Sequence, residues 1–234
     1  MKRLSILLPA LLIASVCSAQ TLDEIVNKYY ATNGIEKLEK ANTVYMEGRA
    51  TQMGTEMPMV ISVKKPDKVK VVITYSGMEI ITMYDGEKGY MVNPLAGMTE
   101  PMEIPEEQLS GVKEYNMFRN NVLDAFRAGK LKLEGEESVN GKPAFKLTLT
   151  SASGEISGLF IDKESYLTVK TTAKVSQMGQ EMEVESYISE YHDVNGIKFA
   201  KVITQMVNGV EMGGITFDKV EIDREIADSV FTIK

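Results

Sequence analysis

Few side chains in this sequence are able to do covalent or acid–base chemistry. One histidine, His192, stands beside Asp193 just before the turn signal Asn195-Gly196. No Gly-x-Ser-x-Gly nucleophile elbow accompanies it. No pair of cysteines and no histidine-rich spacing offers zinc ligands. No glycine-rich phosphate loop joins a strand to a helix. The many Asp and Glu residues mostly alternate with apolar neighbours, which is the pattern of a solvated strand face. The expectation is a protein that binds rather than catalyses, with no metal and no organic cofactor.

The chemistry that is abundant is soft and apolar. There are fifteen methionines and no tryptophan. Met46, Met57, Met59, Met78, Met83 and Met91 fall in strand-like runs. Methionine is unbranched and polarisable, so it re-packs around changing partners. A core built for one packed state uses Ile, Leu and Phe, which specify it better. Alternation marks Met46, Met57, Met59, Ile61, Val63, Val69, Val71, Ile73, Met83 and Met91 as candidates for an apolar lining. Burying a methylene is worth about 0.8 kcal/mol, so an acyl chain of about fifteen carbons prefers such a lining to water by roughly 10 kcal/mol.

The elements that would position this lining are legible in order. Lys2 and Arg3, an apolar run from Leu4 to Val16, and Cys17-Ser18-Ala19 read as a signal peptide (1–19) cleaved before Gln20. Lipidation of Cys17 is the less favoured alternative, because Val16 is a poor residue before a lipidated cysteine. Cleavage removes the chain's one cysteine and takes the net charge from −7 to −9. An acidic exported chain without disulfides is not expected to bind nucleic acid. Residues 20–234 fit one domain.

Thr21-Leu22-Asp23-Glu24 is a capping box opening a helix with the stripe Leu22, Ile25, Val26 and Tyr29, stopped at Asn33-Gly34. A short helical turn, Ile35 to Lys40, follows. From Thr43 the period becomes two, and strands occupy 43–94. Residues 105–128 read as a helical insert, with Pro105 at the first position of one helix and Asn121 to Ala128 forming another. Strands resume over 130–234, punctuated by Asn140-Gly141, Asn195-Gly196 and Asn208-Gly209, the strongest short hairpin signals. Glu225 to Ser229 reads as a turn that lets Val230 and Phe231 pack back. Gln52-Met53-Gly54-Thr55-Glu56-Met57 echoes Gln177-Met178-Gly179-Gln180-Glu181-Met182 at two hairpin tips, which reads as one turn solution used twice, with paired lips of one opening as the alternative.

Two stretches carry a resemblance. Val63-Lys64-Lys65-Pro66, two strand-like runs, then Asp85-Gly86-Glu87-Lys88-Gly89-Tyr90-Met91-Val92-Asn93-Pro94 resemble the periplasmic lipoprotein-carrier family with the LolA/LolB-like fold. Its members read V-K-R-P, two strands, then D-G-x-x-x-W-x-x-N-P. The resemblance implies a mainly β chain: an incomplete antiparallel barrel with an N-terminal helix and a helical lid. It implies a carrier that receives acylated lipoproteins from inner-membrane release machinery and delivers them to an outer-membrane acceptor. A periplasmic monomer is expected. A rival reading is an envelope sensor or partner-binding module on the same fold. In the family the arginine of V-K-R-P points inward and bonds the lid; Lys65 stands there, which makes it the candidate lid contact. Lysine lacks the planar fork of arginine, so the resemblance implies a different latch here. Val69 matches an aromatic position and Tyr90 a tryptophan.

Overall fold

The computed structural model describes residues 20–151, 154, 156–177 and 180–232. The expected signal peptide (1–19), with Cys17, lies outside them, as does Met178-Gly179 of the second repeated tip. Helix α1 (Leu22–Thr32) opens with the expected capping box, Thr21 accepting from the Glu24 amide while the Glu24 carboxylate accepts from the Thr21 amide. Helix α2 (Ile35–Lys40) follows after Gly34. A Cβ at Gly34 would run into the Gly196 carbonyl, so α2 lies directly on the β11–β12 turn described below.

Strands β1 (Thr43–Gln52), β2 (Thr55–Lys64), β3 (Lys68–Tyr75), β4 (Met78–Tyr84), β5 (Gly89–Asn93) and β6 (Met98–Ile104) form a meander. The insert holds a 3-10 turn (Glu106–Gln108), α3 (Leu109–Lys113) and α4 (Asn121–Arg127). A second meander follows: β7 (Leu131–Val139), β8 (Lys142–Thr150), β9 (Ile156–Asp162), β10 (Thr168–Gln177), β11 (Gln180–Val194), β12 (Ile197–Val207) and β13 (Val210–Ile222). All thirteen strands make one antiparallel sheet ordered β6-β5-β4-β3-β2-β1-β13-β12-β11-β10-β9-β8-β7. It does not close on itself; it is an open half-barrel.

This order dictates where the insert lies. β6 and β7 are the two edges of the sheet, so residues 105–130 must cross from one edge to the other. They do so over the inner face. Their side chains Leu109, Val112, Tyr115, Met117 and Phe118 join the inner-face residues of β1–β4, β12 and β13 in one cluster. Leu123 and Ala125 of α4 join α1 and β7–β9 in a second. On the outer face, the C-terminal 3-10 turn (Asp228–Phe231) buries Phe231 against Met83 and Ile226.

The hairpin signals hold for a physical reason. Asn140-Gly141, Asn195-Gly196 and Asn208-Gly209 all carry two consecutive positive φ angles, as do Met53-Gly54 and Ser76-Gly77. That is the type I′ geometry, whose twist matches the strands it joins.

Candidate functional site

Pairing places the inner-face residues in rows. Val44, Val63, Val69 and Tyr84 lie opposite one another across β1–β4; Met46, Ile61, Val71, Thr82 and Met91 form the next row across β1–β5; Met59, Ile73 and Ile80 the next; Ala50 and Met57 the next. Burial is graded along these rows. Val63 and Val69 are fully enclosed, Met59 is 2% exposed, and Met57, Ile73, Ile80 and Ala50 are only partly covered. The inner face is therefore sealed at one end and open towards the rim made by the tips 53–54, 76–77 and 208–209.

Nine of the ten lining candidates share this face. Met83 does not. It stands in the row Tyr45, Ser62, Lys70, Met83, Tyr90 on the outer side, fully enclosed under Ile226 and Phe231. The pleat sends successive side chains to opposite faces, so Ile80, Thr82 and Tyr84 of β4 face inward. The C-terminal turn is what buries Met83, and nothing in the spacing of β4 announces that cover.

The sealed end is closed by the insert. Leu109 and Val112 are buried on it, each worth about 1.5–3 kcal/mol relative to exposure. Leu109 lies over Gly89, where a Cβ would collide with its Cδ2. This explains a glycine inside the Asp85–Pro94 motif. Asp85 shapes the preceding turn, its Oδ1 accepting from the Glu87 and Lys88 amides at 2.8 Å each. The Lys113 ammonium sits 4.3 Å above the Tyr84 ring. Burial is the main cause that raises the pKa of the Tyr115 hydroxyl, with Glu114 adding to it, so this lid tyrosine stays neutral.

The lid is tied to the turn between β2 and β3. Lys65 donates to the Glu39 carbonyl at the end of α2, and its ammonium lies 4.8 Å from the Phe118 ring centre. Lys65 thus reaches Phe118 of the insert through a cation–π contact rather than a planar fork. The fork is supplied two residues on. Arg119 donates to both oxygens of Asp67, Nε to Oδ1 at 3.1 Å and Nη2 to Oδ2 at 2.6 Å. The buried Asn116 amide donates to Asp67 Oδ1 at 2.6 Å, and Asn116 Oδ1 accepts from the Phe118 amide at 3.0 Å. Bidentate Arg–carboxylate pairing is among the stronger side-chain contacts. Asp67, Asn116 and Arg119 were invisible as a set in the sequence, because their convergence depends on the insert folding back. A cleft of about 270 Å³ runs between the lid and α1–α2, lined by Tyr29, Ile35, Leu38, Met117, Arg119 and Phe199 among others.

His192 takes no part. Its Nε2 donates to the Phe217 carbonyl at 2.8 Å. Among the described residues no group of three His, Cys, Asp or Glu side chains converges as metal ligands, and no helix is long and apolar enough to cross a membrane.

The open antiparallel half-barrel has solved counterparts. The chain superposes on a LolA superfamily protein from Nitrosomonas europaea with a TM-score of 0.59 at 15% identity, covering 92% of this chain and 98% of that one. The fold is LolA-like. A putative outer membrane lipoprotein-sorting protein domain from Vibrio parahaemolyticus matches at 0.54 and 13% identity, covering 87% and 97%. A DUF1329 family protein from Desulfovibrio piger matches at 0.57 and 14%, covering 89% and 97%. No family model and no curated protein matches this sequence. In this LolA-like chain the V-K-K-P turn is the place where the lid is fastened.

Proposed function

We propose that this protein is a periplasmic carrier that shelters the acyl chains of lipoproteins on its inner face and hands them to an outer-membrane acceptor. One observation supports this above the rest: a latched helical lid covers the sealed end of an apolar face that grades open towards one rim. The residues proposed to line the site are Met46, Met57, Met59, Ile61, Val63, Val69, Val71, Ile73 and Met91, with Tyr84 added by the structure. The energetics suit exchange. A chain gains roughly 10 kcal/mol from full burial. Displacing Leu109, Val112 and their partly buried neighbours surrenders an amount of the same order. Loading is then reversible, which a carrier requires.

The test uses the absence of cysteine after residue 20. An Asp67→Cys/Arg119→Cys variant of the mature chain breaks the latch when reduced. It restores closure when joined by a short bismaleimide. Uptake of a fluorescent fatty acid rises several-fold in the reduced form and falls below wild type in the joined form. Equal uptake in both forms rejects the lid as a gate. The rival reading, a partner-binding module with a filled interior, is favoured by the packing of Leu109 and Val112 onto the sheet. It requires that neither form take up the probe and that no lipid accompany protein purified from the envelope without detergent.

A further inference from the structure

Large apolar side chains that stand exposed among the described residues are not scattered. All but Met102 lie at one end of the sheet, on the rim formed by the hairpin tips that begin at β1–β2. Met53 is 84% exposed and Val210 is 62% exposed. Met212 lies beside Met53, and Tyr75, Met78 and Val175 stand further along the same rim. Scattered exposed apolar residues need no explanation, but a contiguous patch marks an interaction site. The patch is also preorganised. The Met53 amide donates to the Met212 carbonyl at 3.3 Å, extending the β1–β13 pairing to the very tips. Gly213 has φ +144 and approaches the Thr51 carbonyl so closely that any Cβ would collide with it.

The charges around the Met53–Val210–Met212 centre of this rim are mainly acidic. Glu56, Glu79, Glu181, Glu183 and Glu211 are exposed beside the tips. The nearest cation, Arg49, pairs with Asp218 at 2.9 Å and with Glu56 at 3.7 Å, and Lys174, beside Val175, stands opposite Glu183 across β10–β11. An acidic fringe is repelled by anionic lipid surfaces, which attract Lys and Arg. It also opposes a two-fold copy of itself, which would set glutamate against glutamate. We infer that this rim docks a protein surface presenting basic side chains around apolar contact residues. Met53, Val210 and Met212 supply the desolvated centre and Glu56 and Glu211 the complementary border, the usual arrangement of a specific interface. The inference does not depend on what the inner face carries.

The probe is a labelled lysine–leucine amphipathic peptide, with a glutamate–leucine peptide as control, titrated against the mature chain. The lysine–leucine peptide binds and the control does not. Met53→Gln/Val210→Gln weakens binding at least tenfold. Glu56→Gln/Glu211→Gln weakens it similarly and flattens its salt dependence. Glu87→Gln/Glu225→Gln removes equal charge from exposed sites at the opposite end of the sheet and leaves binding unchanged. The inference is overturned if the distant pair matters as much as the rim pair, or if the peptide does not bind. It is also overturned if the Met53 variant instead abolishes flotation with phosphatidylethanolamine/phosphatidylglycerol vesicles, or a dimer seen by sedimentation. Fatty-acid uptake by the Glu56/Glu211 variant stays at the wild-type level, so failure here is distinct from failure of the carrier reading.

Discussion

Asp67 is the residue on which the closed lid turns. It receives two bonds from Arg119 and one from Asn116, so removing it leaves a buried amide without a partner, at a cost of about 1–3 kcal/mol. Asp67→Ala and Arg119→Ala each raise fatty-acid uptake, and the double variant raises it less than the sum of the two, because both remove the same contact; additive effects would show two independent latches. The two faces of the sheet separate by a similar comparison. Met83→Ala lowers unfolding free energy by about 2–4 kcal/mol and leaves uptake intact, since Met83 lies under the C-terminal turn. Met57→Gln, at a partly exposed inner position, lowers uptake with little change in denaturation midpoint. The C-terminal turn also has a pH signature. Hydrogen bonds from Lys68 and then Lys64 hold the Asp228 carboxyl below its usual value. A depressed folded pKa stabilises fully above the unfolded value of about 3.9 and is lost as pH falls through the folded one. The protection of amides 226–231, measured against their intrinsic exchange rate at each pH, therefore falls in acid and is flat above about pH 5.

At the scale of elements, legibility followed the range of the physics involved. Local signals held: the Thr21 capping box, α2 over Ile35–Lys40, and the Asn-Gly turns each depend on a few adjacent residues. The insert was placed but its detail shifted. Pro105 sits just outside the 3-10 turn rather than inside a helix, and α3 is only Leu109–Lys113. Strand β6 (Met98–Ile104) lies beyond the expected strand range 43–94, where Pro101 and its acidic neighbours break the two-residue alternation. Proline is tolerated there because β6 is an edge strand with its free side unpaired. The inner face was legible through two-residue alternation, and failed at Met83 because β4 carries apolar residues on both sides. The latch was half legible. Lys65 came from the motif, whereas Asp67, Asn116 and Arg119 needed the fold. Gly89→Ala tests the element contact directly. Its methyl displaces Leu109, so α3 loses exchange protection while β4 and β5 keep theirs; unchanged α3 protection would mean that Leu109 re-packs without moving the helix.

For the whole molecule, strand order is the governing fact. A lid whose two ends leave from the two edges of one sheet cannot lift without pulling on both, so opening of the lid and the spread of the half-barrel are mechanically linked. The same order has a consequence for how the molecule is made. β1 leads the first meander, yet its second neighbour is β13, the last strand of all, with Val44 opposite Ile222. Pairings between segments so distant along the chain form slowly, because the loop entropy is lost before the contacts are gained. During synthesis the first meander exists before its partner, with β1 as a bare edge carrying Val44 and Met46. An unpaired apolar edge of that kind invites association with other chains. The nascent protein therefore passes through an interval in which it is itself a client for protection, and that interval ends only when Val210–Ile222 arrives.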